Sequence, residues 1–205
     1  MSRFRAILTW VGLATVIGVP IAAAAASPLL QWRGPIYIAA GFAGVVAMTL
    51  LLLQPLLAGG FLPGLPAIRG RRVHRWIGAA LVAAVVIHVG ALWITSPPDV
   101  IDVLLFRSPT PFSVWGVVAM WAVFAAALLA LFRRRLHLRH RTWRLAHTSL
   151  ALVIVVGSVV HAILIEGTME TMTKAALCLL VLAATVKVLA DLRVWDIRPG
   201  RRAER

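Results

Sequence analysis

The sequence predicts an all-α integral membrane protein, a single bundle of six transmembrane helices with both termini in the cytoplasm. Three observations lead there. Hydrophobic residues make up 61% of the 205-residue chain and mean hydropathy is +0.91, whereas soluble domains are about half apolar. The apolar residues gather into six segments, each close to the roughly 20 residues that cross about 30 Å of hydrocarbon. The positive charges collect at alternate ends of those segments, which is the signature of a fixed membrane orientation.

The first segment covers 6–26. Its start, with Arg3 and Arg5 ahead of an apolar run and small residues before Ser27, also fits a secretory signal. The run is longer than the usual h-region of about 7–15 residues, so an uncleaved span is expected. Cleavage would leave five spans with the remaining topology unchanged. Pro20 is expected to kink this helix, a defect membranes tolerate. The second segment, 35–58, follows a short connection, "SPLLQWRG". A glycine-rich turn with Gly59, Gly60 and Gly64 then leads to the third, 73–95. No strand–helix context supports reading those glycines as a dinucleotide site. The longest connection outside the membrane carries Asp99 and Asp102, and its modestly apolar middle is expected at the interface. Segments four to six cover 111–132, 143–165 and 172–190, joined by "RRRLHLRHR" and "EGTMETMTK". No connection is long enough to fold as a separate soluble domain.

Net charge is +14 and the pI is near 12.0, values that raise nucleic-acid binding as a possibility. Position argues against it. With the N-terminus inside, most of the 21 basic residues fall on the cytoplasmic side: 3–5, 69–75, 133–144 and 193–205. Only Arg33, Arg107 and Lys174 fall outside, and Lys187 snorkels inward from the last helix. The charge is a topology signal, with no nucleic acid among the expected partners. The one cysteine, Cys178, has no partner for an intramolecular disulfide and reads as packing within the sixth span.

Histidines carry the functional signal. His74 and His88 bracket the apolar part of the third span, and His147 and His161 bracket the fifth at the same fourteen-residue interval. At about 100° and 1.5 Å per residue, that interval falls about 40° short of four turns and spans about 21 Å. Each pair therefore lies on one helix face. Spans three and five run in the same direction, so His74 meets His147 at the inner level and His88 meets His161 at the outer. Neutral imidazoles offer lone pairs that suit iron, and histidine is a common axial haem ligand. Gly78, Leu81 and Val85 on one span, with Ile154, Gly157 and Ser158 on the other, are expected to line the space between. The competing reading for any one membrane histidine is a helix–helix hydrogen bond. Duplication of the interval on two co-directional spans favours two haem sites. Arg75 and Arg144 lie beside the inner histidines; they read either as donors to haem propionates or as topology-setting charges. Trp76 and Trp143 read as interfacial anchors. His137 and His140 lie in the arginine-rich turn and receive no ligand role. Asp99, Asp102, Glu166 and Glu170 read as ordinary loop residues or as a weak acidic surface for a cationic acceptor.

The stretches "RRVHRWIGAALVAAVVIH" and "RTWRLAHTSLALVIVVGSVVH" resemble the ferric reductase-like transmembrane domain. That family includes the membrane parts of ferric reductases and NADPH oxidases and the haem-binding subunit of the periplasmic methionine sulfoxide reductase system. The resemblance implies a di-haem b-type cytochrome of a bacterial inner membrane. His74 and His147 would ligate the inner haem iron, and His88 and His161 the outer, with irons about 20 Å apart by helix rise. Many members continue into a flavin and nicotinamide domain, and none is expected after the sixth span here. The resemblance therefore implies an oxidoreductase component that needs a partner. Electrons would come from a separate flavoprotein, or from bound FMN or FAD for which no motif is present, and pass to an outer acceptor or reductase subunit. Two rivals remain at this level. One is a quinone-linked b561-type cytochrome. The other is a haem-free transporter or scaffold, which is disfavoured because the spans lack central carboxylates.

Overall fold

A computed structural model describes residues 3–191, and every regular element among them is helical. The basic residues expected inside at 193–205 lie outside the described residues. Seven α-helices follow in order: α1 (Arg3–Ala25), α2 (Pro35–Ala58), α3 (Ala67–Thr95), α4 (Pro97–Leu104), α5 (Ser113–Leu131), α6 (His140–Leu164) and α7 (Thr171–Asp191). All but α4 are long and apolar enough to cross a membrane. The protein is thus a multi-pass helical membrane bundle.

Local chemistry explains the boundaries. Pro35 and Pro97 open α2 and α4, where a missing N–H leaves no bond unmade. The third span begins six residues earlier than its apolar pattern suggests, because Pro66 caps it and the arginines at 69–75 are helical. Arginine has good helix propensity, and hydrophobicity alone does not register it. Pro20 lies inside an unbroken α1. The long outer connection folds into α4, whose Val100 is buried. Ser96 hydrogen-bonds the Asp99 carboxylate at its start, so Asp99 serves the local fold.

Glu170 has a similar task. Its carboxylate accepts from the backbone N–H groups of Met172 at 2.6 Å and Thr173 at 2.7 Å, capping α7. Those bonds, first among them the one from Thr173, hold its pKa below the ordinary carboxylate value of 4.5. A depressed folded-state pKa means the cap contributes fully above that ordinary value and is lost as pH falls through the lowered one. Thermal melts in detergent should therefore show an acid-side loss of stability that is smaller in Glu170→Gln. Equal slopes below the ordinary value would remove this role. Close by, Lys174 Nζ donates to the carbonyl of Ile165 at 2.7 Å, placing a cation at the C-terminal end of α6, where the helix dipole favours one.

Packing divides the bundle into two antiparallel pairs. α2 packs along α3 and α5 along α6, while α7 rests on both α2 and α6. α1 packs on α2 and α7 and buries only Pro20 and Ala24. Leu52, Val123, Ile154, Leu177 and Val181 share the central core. Large apolar side chains such as Ile87, Val156, Leu179 and Val186 face outward, as lipid-facing positions must. Cys178 is buried in α7 as a free thiol. The helices α3 and α6 are not close-packed on one another. The two pairs instead face each other with the histidines between them.

Candidate functional site

The structure brings the four histidines together in two tiers. The ring centres of His74 and His147 lie 6.3 Å apart, and those of His88 and His161 lie 6.4 Å apart. This pairing requires α3 and α6 to run in the same direction, as the segment count implies. The planes within each tier are inclined by 68° and 83°. These separations have chemical meaning. An imidazole nitrogen sits about 2.0–2.1 Å from a bound metal ion with the ring centre about 1.1 Å beyond, so two rings flanking one ion have centres about 6.3 Å apart.

Ring orientation is set from the neighbouring helices. His88 Nδ1 meets the carbonyl oxygen of Ala40 on α2 at 2.7 Å. His161 Nδ1 meets that of Phe112, at the start of α5, at 2.9 Å. His74 Nδ1 meets that of Gln54 on α2 at 3.3 Å. A carbonyl oxygen only accepts, so Nδ1 of each ring must carry the proton and Nε2 keeps its lone pair. This is the arrangement by which metal-binding histidines are fixed in one tautomer.

Two glycines make those bonds possible. Gly44 stands one turn after Ala40, and a Cβ there would lie 3.2 Å from His88 Nδ1. Gly116 stands one turn after Phe112, and a Cβ there would lie 2.7 Å from His161 Nδ1 and 2.9 Å from Cε1. A side chain four residues on in a helix projects back over the earlier carbonyl. Glycine leaves that carbonyl open to the imidazole. These positions escaped sequence reasoning, which looked for small residues only on the histidine-bearing spans. The available signal was Gly116, the single glycine of the fourth span.

Other expected lining residues divide. Leu81 and Ile154 are buried, each seven residues from both histidines of its helix and hence between the tiers. Gly78 and Gly157 serve elsewhere, which corrects the expectation that they line the gap. Gly78 faces the Gln54 side chain, and Gly157 packs against Ala119 and the Trp115 carbonyl on α5. Their small size allows close helix packing within each pair. Gln54 was missed altogether. Its backbone carbonyl receives His74, and its side-chain Nε2 donates to the His74 carbonyl at 3.4 Å.

Trp143 also departs from expectation. Trp76 is exposed to the surroundings, in keeping with an interfacial anchor, but Trp143 stacks on His147 with centres 5.1 Å apart and planes within 7°. Arg144 is half-buried one turn ahead of His147, and Arg75 is exposed beside His74. His137 is exposed with φ 46° and bonds the Arg135 carbonyl, and His140 opens α6. Among the described residues, no group of three or more His, Cys, Asp or Glu side chains converges on a metal position. Each tier brings two imidazoles together, a donor set that would suit an ion whose remaining ligands come from a planar macrocycle.

A family model described as ferric reductase like transmembrane component matches residues 40–158. The match includes His74, His88 and His147 and ends three residues before His161. No curated protein and no solved structure matches the chain.

Proposed function

We propose that this chain, which belongs to the ferric reductase-like transmembrane component family, is a two-haem b-type cytochrome that carries electrons singly across a bacterial inner membrane. The observation that carries the reading is the pair of imidazole tiers at 6.3 and 6.4 Å, three of whose rings are held as the Nδ1–H tautomer.

His74 and His147 would hold one haem iron, and His88 and His161 the other. A haem bound there supplies a reversible one-electron iron couple. The chain supplies the rest. Carbonyls of Ala40, Phe112 and Gln54 aim the rings. Leu81 and Ile154 keep water and polar atoms from the space between tiers. With two histidines holding each haem, reactants would exchange electrons with it without binding the metal. Arg144, and less directly Arg75, would meet haem propionates as charged donors.

The arginines at 69–75 and 133–144 argue that the His74 tier faces the cytoplasm. Electrons would enter there from a separate flavoprotein or a bound flavin, FMN or FAD. They would leave at the His88 tier towards an acceptor or reductase subunit outside. The chain would thus be an oxidoreductase component working with partners in the lipid bilayer.

Haem-replete expression tests this. Purified protein should contain two b-type haems per chain by pyridine haemochromogen and give a dithionite-reducible b-type spectrum. A folded, monodisperse preparation without reducible haem would remove the proposal.

A further inference from the structure

Three of the four histidines are anchored by a carbonyl, and the fourth is not. Along α2 the anchors Ala40 and Gln54 stand fourteen residues apart, matching the spacing of the histidines they hold. On α5 the position fourteen residues after Phe112 is Ala126, which is buried, yet His147 takes no bond from it. His147 Nδ1 is buried without a hydrogen-bond partner. In place of a carbonyl, the indole of Trp143 lies flat on this ring. The Arg133 guanidinium also lies over the indole, its Cζ 4.3 Å from the ring centre. The indole thus contacts both a cation and the imidazole, and an aromatic face bearing a cation is a favourable pairing. Arg133 lies in the turn just after α5 and Trp143 in the first turn of α6, so the contact also ties the connection to α6.

We propose that Trp143, held by Arg133, is the positioning residue of the His74–His147 tier: it restrains the His147 ring by its plane, where carbonyls restrain the other three by a bond at Nδ1. This rests on the two-haem reading above. A hydrogen bond fixes a ring by direction at one atom, whereas a stack fixes its plane and leaves sliding within that plane free. His147 is therefore the least restrained of the four donors. The two haems are made inequivalent by this difference.

The test compares wild type, Trp143→Phe and Trp143→Leu in the purified, haem-loaded protein. Readouts are the low-spin ferric electron paramagnetic resonance signals, which respond to the angle between axial imidazole planes, together with the midpoint potential of each haem. Phenylalanine keeps an aromatic face and leucine keeps bulk without one. Trp143→Leu should alter the signal and potential of one haem only, with the Phe variant close to wild type. Two wild-type haems that are both unchanged in Trp143→Leu would overturn the positioning role while leaving the two-haem reading intact. Equal disturbance of both haems, or equal effects of Phe and Leu, would also overturn it, since general packing would then account for the change. A folded wild type without haem would instead overturn the underlying reading.

Discussion

On the proposed two-haem reading, a His88→Ala protein will bind one haem per chain instead of two and lose electron transfer across the membrane, while the remaining haem keeps a wild-type spectrum. The reasoning is local. His88 and His161 supply the two imidazoles of their tier, and the described residues hold no third donor group that would take over. The other tier stands about 21 Å away along the helices and takes its orientation from Gln54 and Trp143, neither of which touches His88. Ala40 loses the imidazole but keeps its place in the α2 ladder, so the helix has no reason to unwind. Haem content by pyridine haemochromogen, with transfer measured in proteoliposomes containing an impermeant acceptor, reads both halves of this outcome. His137→Ala is the control, because that exposed ring bonds only the Arg135 carbonyl at the turn. Two haems retained in His88→Ala would break the assignment of ligands, whatever the transfer rate.

Gly116→Ala will damage the same tier without removing a ligand. Alanine is the better helix former by about 1 kcal/mol, so an unobstructed glycine-to-alanine change should stabilise a helix. Here the added methyl would sit 2.7 Å from His161 Nδ1 and 2.9 Å from Cε1, well inside contact distance. The ring must move away from the Phe112 carbonyl and surrender a bond worth about 0.5–1.5 kcal/mol net. Overpacking of this kind adds about 1–3 kcal/mol, so the clash outweighs the propensity gain. Gly44→Ala presses on His88 from 3.2 and 3.3 Å and should follow the same course more mildly. Gly90→Ala, with nothing within 4 Å of the new methyl, should be neutral or slightly stabilising. The checkable order of haem loss on dilution or heating is Gly116, then Gly44, then Gly90. An alanine at 116 that retains its haem as firmly as one at 90 would dismiss the glycine–carbonyl device.

Much of the molecule was legible from its residues in order. The spans follow from runs of apolar side chains that only hydrocarbon accommodates. The histidine tiers follow from a fourteen-residue interval repeated on two co-directional helices, since helical twist and rise are constants of the backbone. His74, His88, His147 and His161 were therefore found by counting. The start of α3 was misplaced because arginines extended a helix that hydrophobicity could not trace.

What the linear order could not supply was which helix lies beside which, and at what register. Ala40, Gln54 and Phe112 act through main-chain oxygens, which every residue possesses and no side-chain pattern reveals. Gly44 and Gly116 matter only because an imidazole from another helix arrives at the surface they leave bare, whereas Gly78 and Gly157 spend their smallness on close helix contacts. Trp143 looked like an anchor at the membrane boundary, and in the fold it stacks on a ring one turn along its own helix. Periodicity is a property of a single helix and can be read from its sequence. Second-neighbour support belongs to pairs of surfaces, and it came into being only when the helices packed.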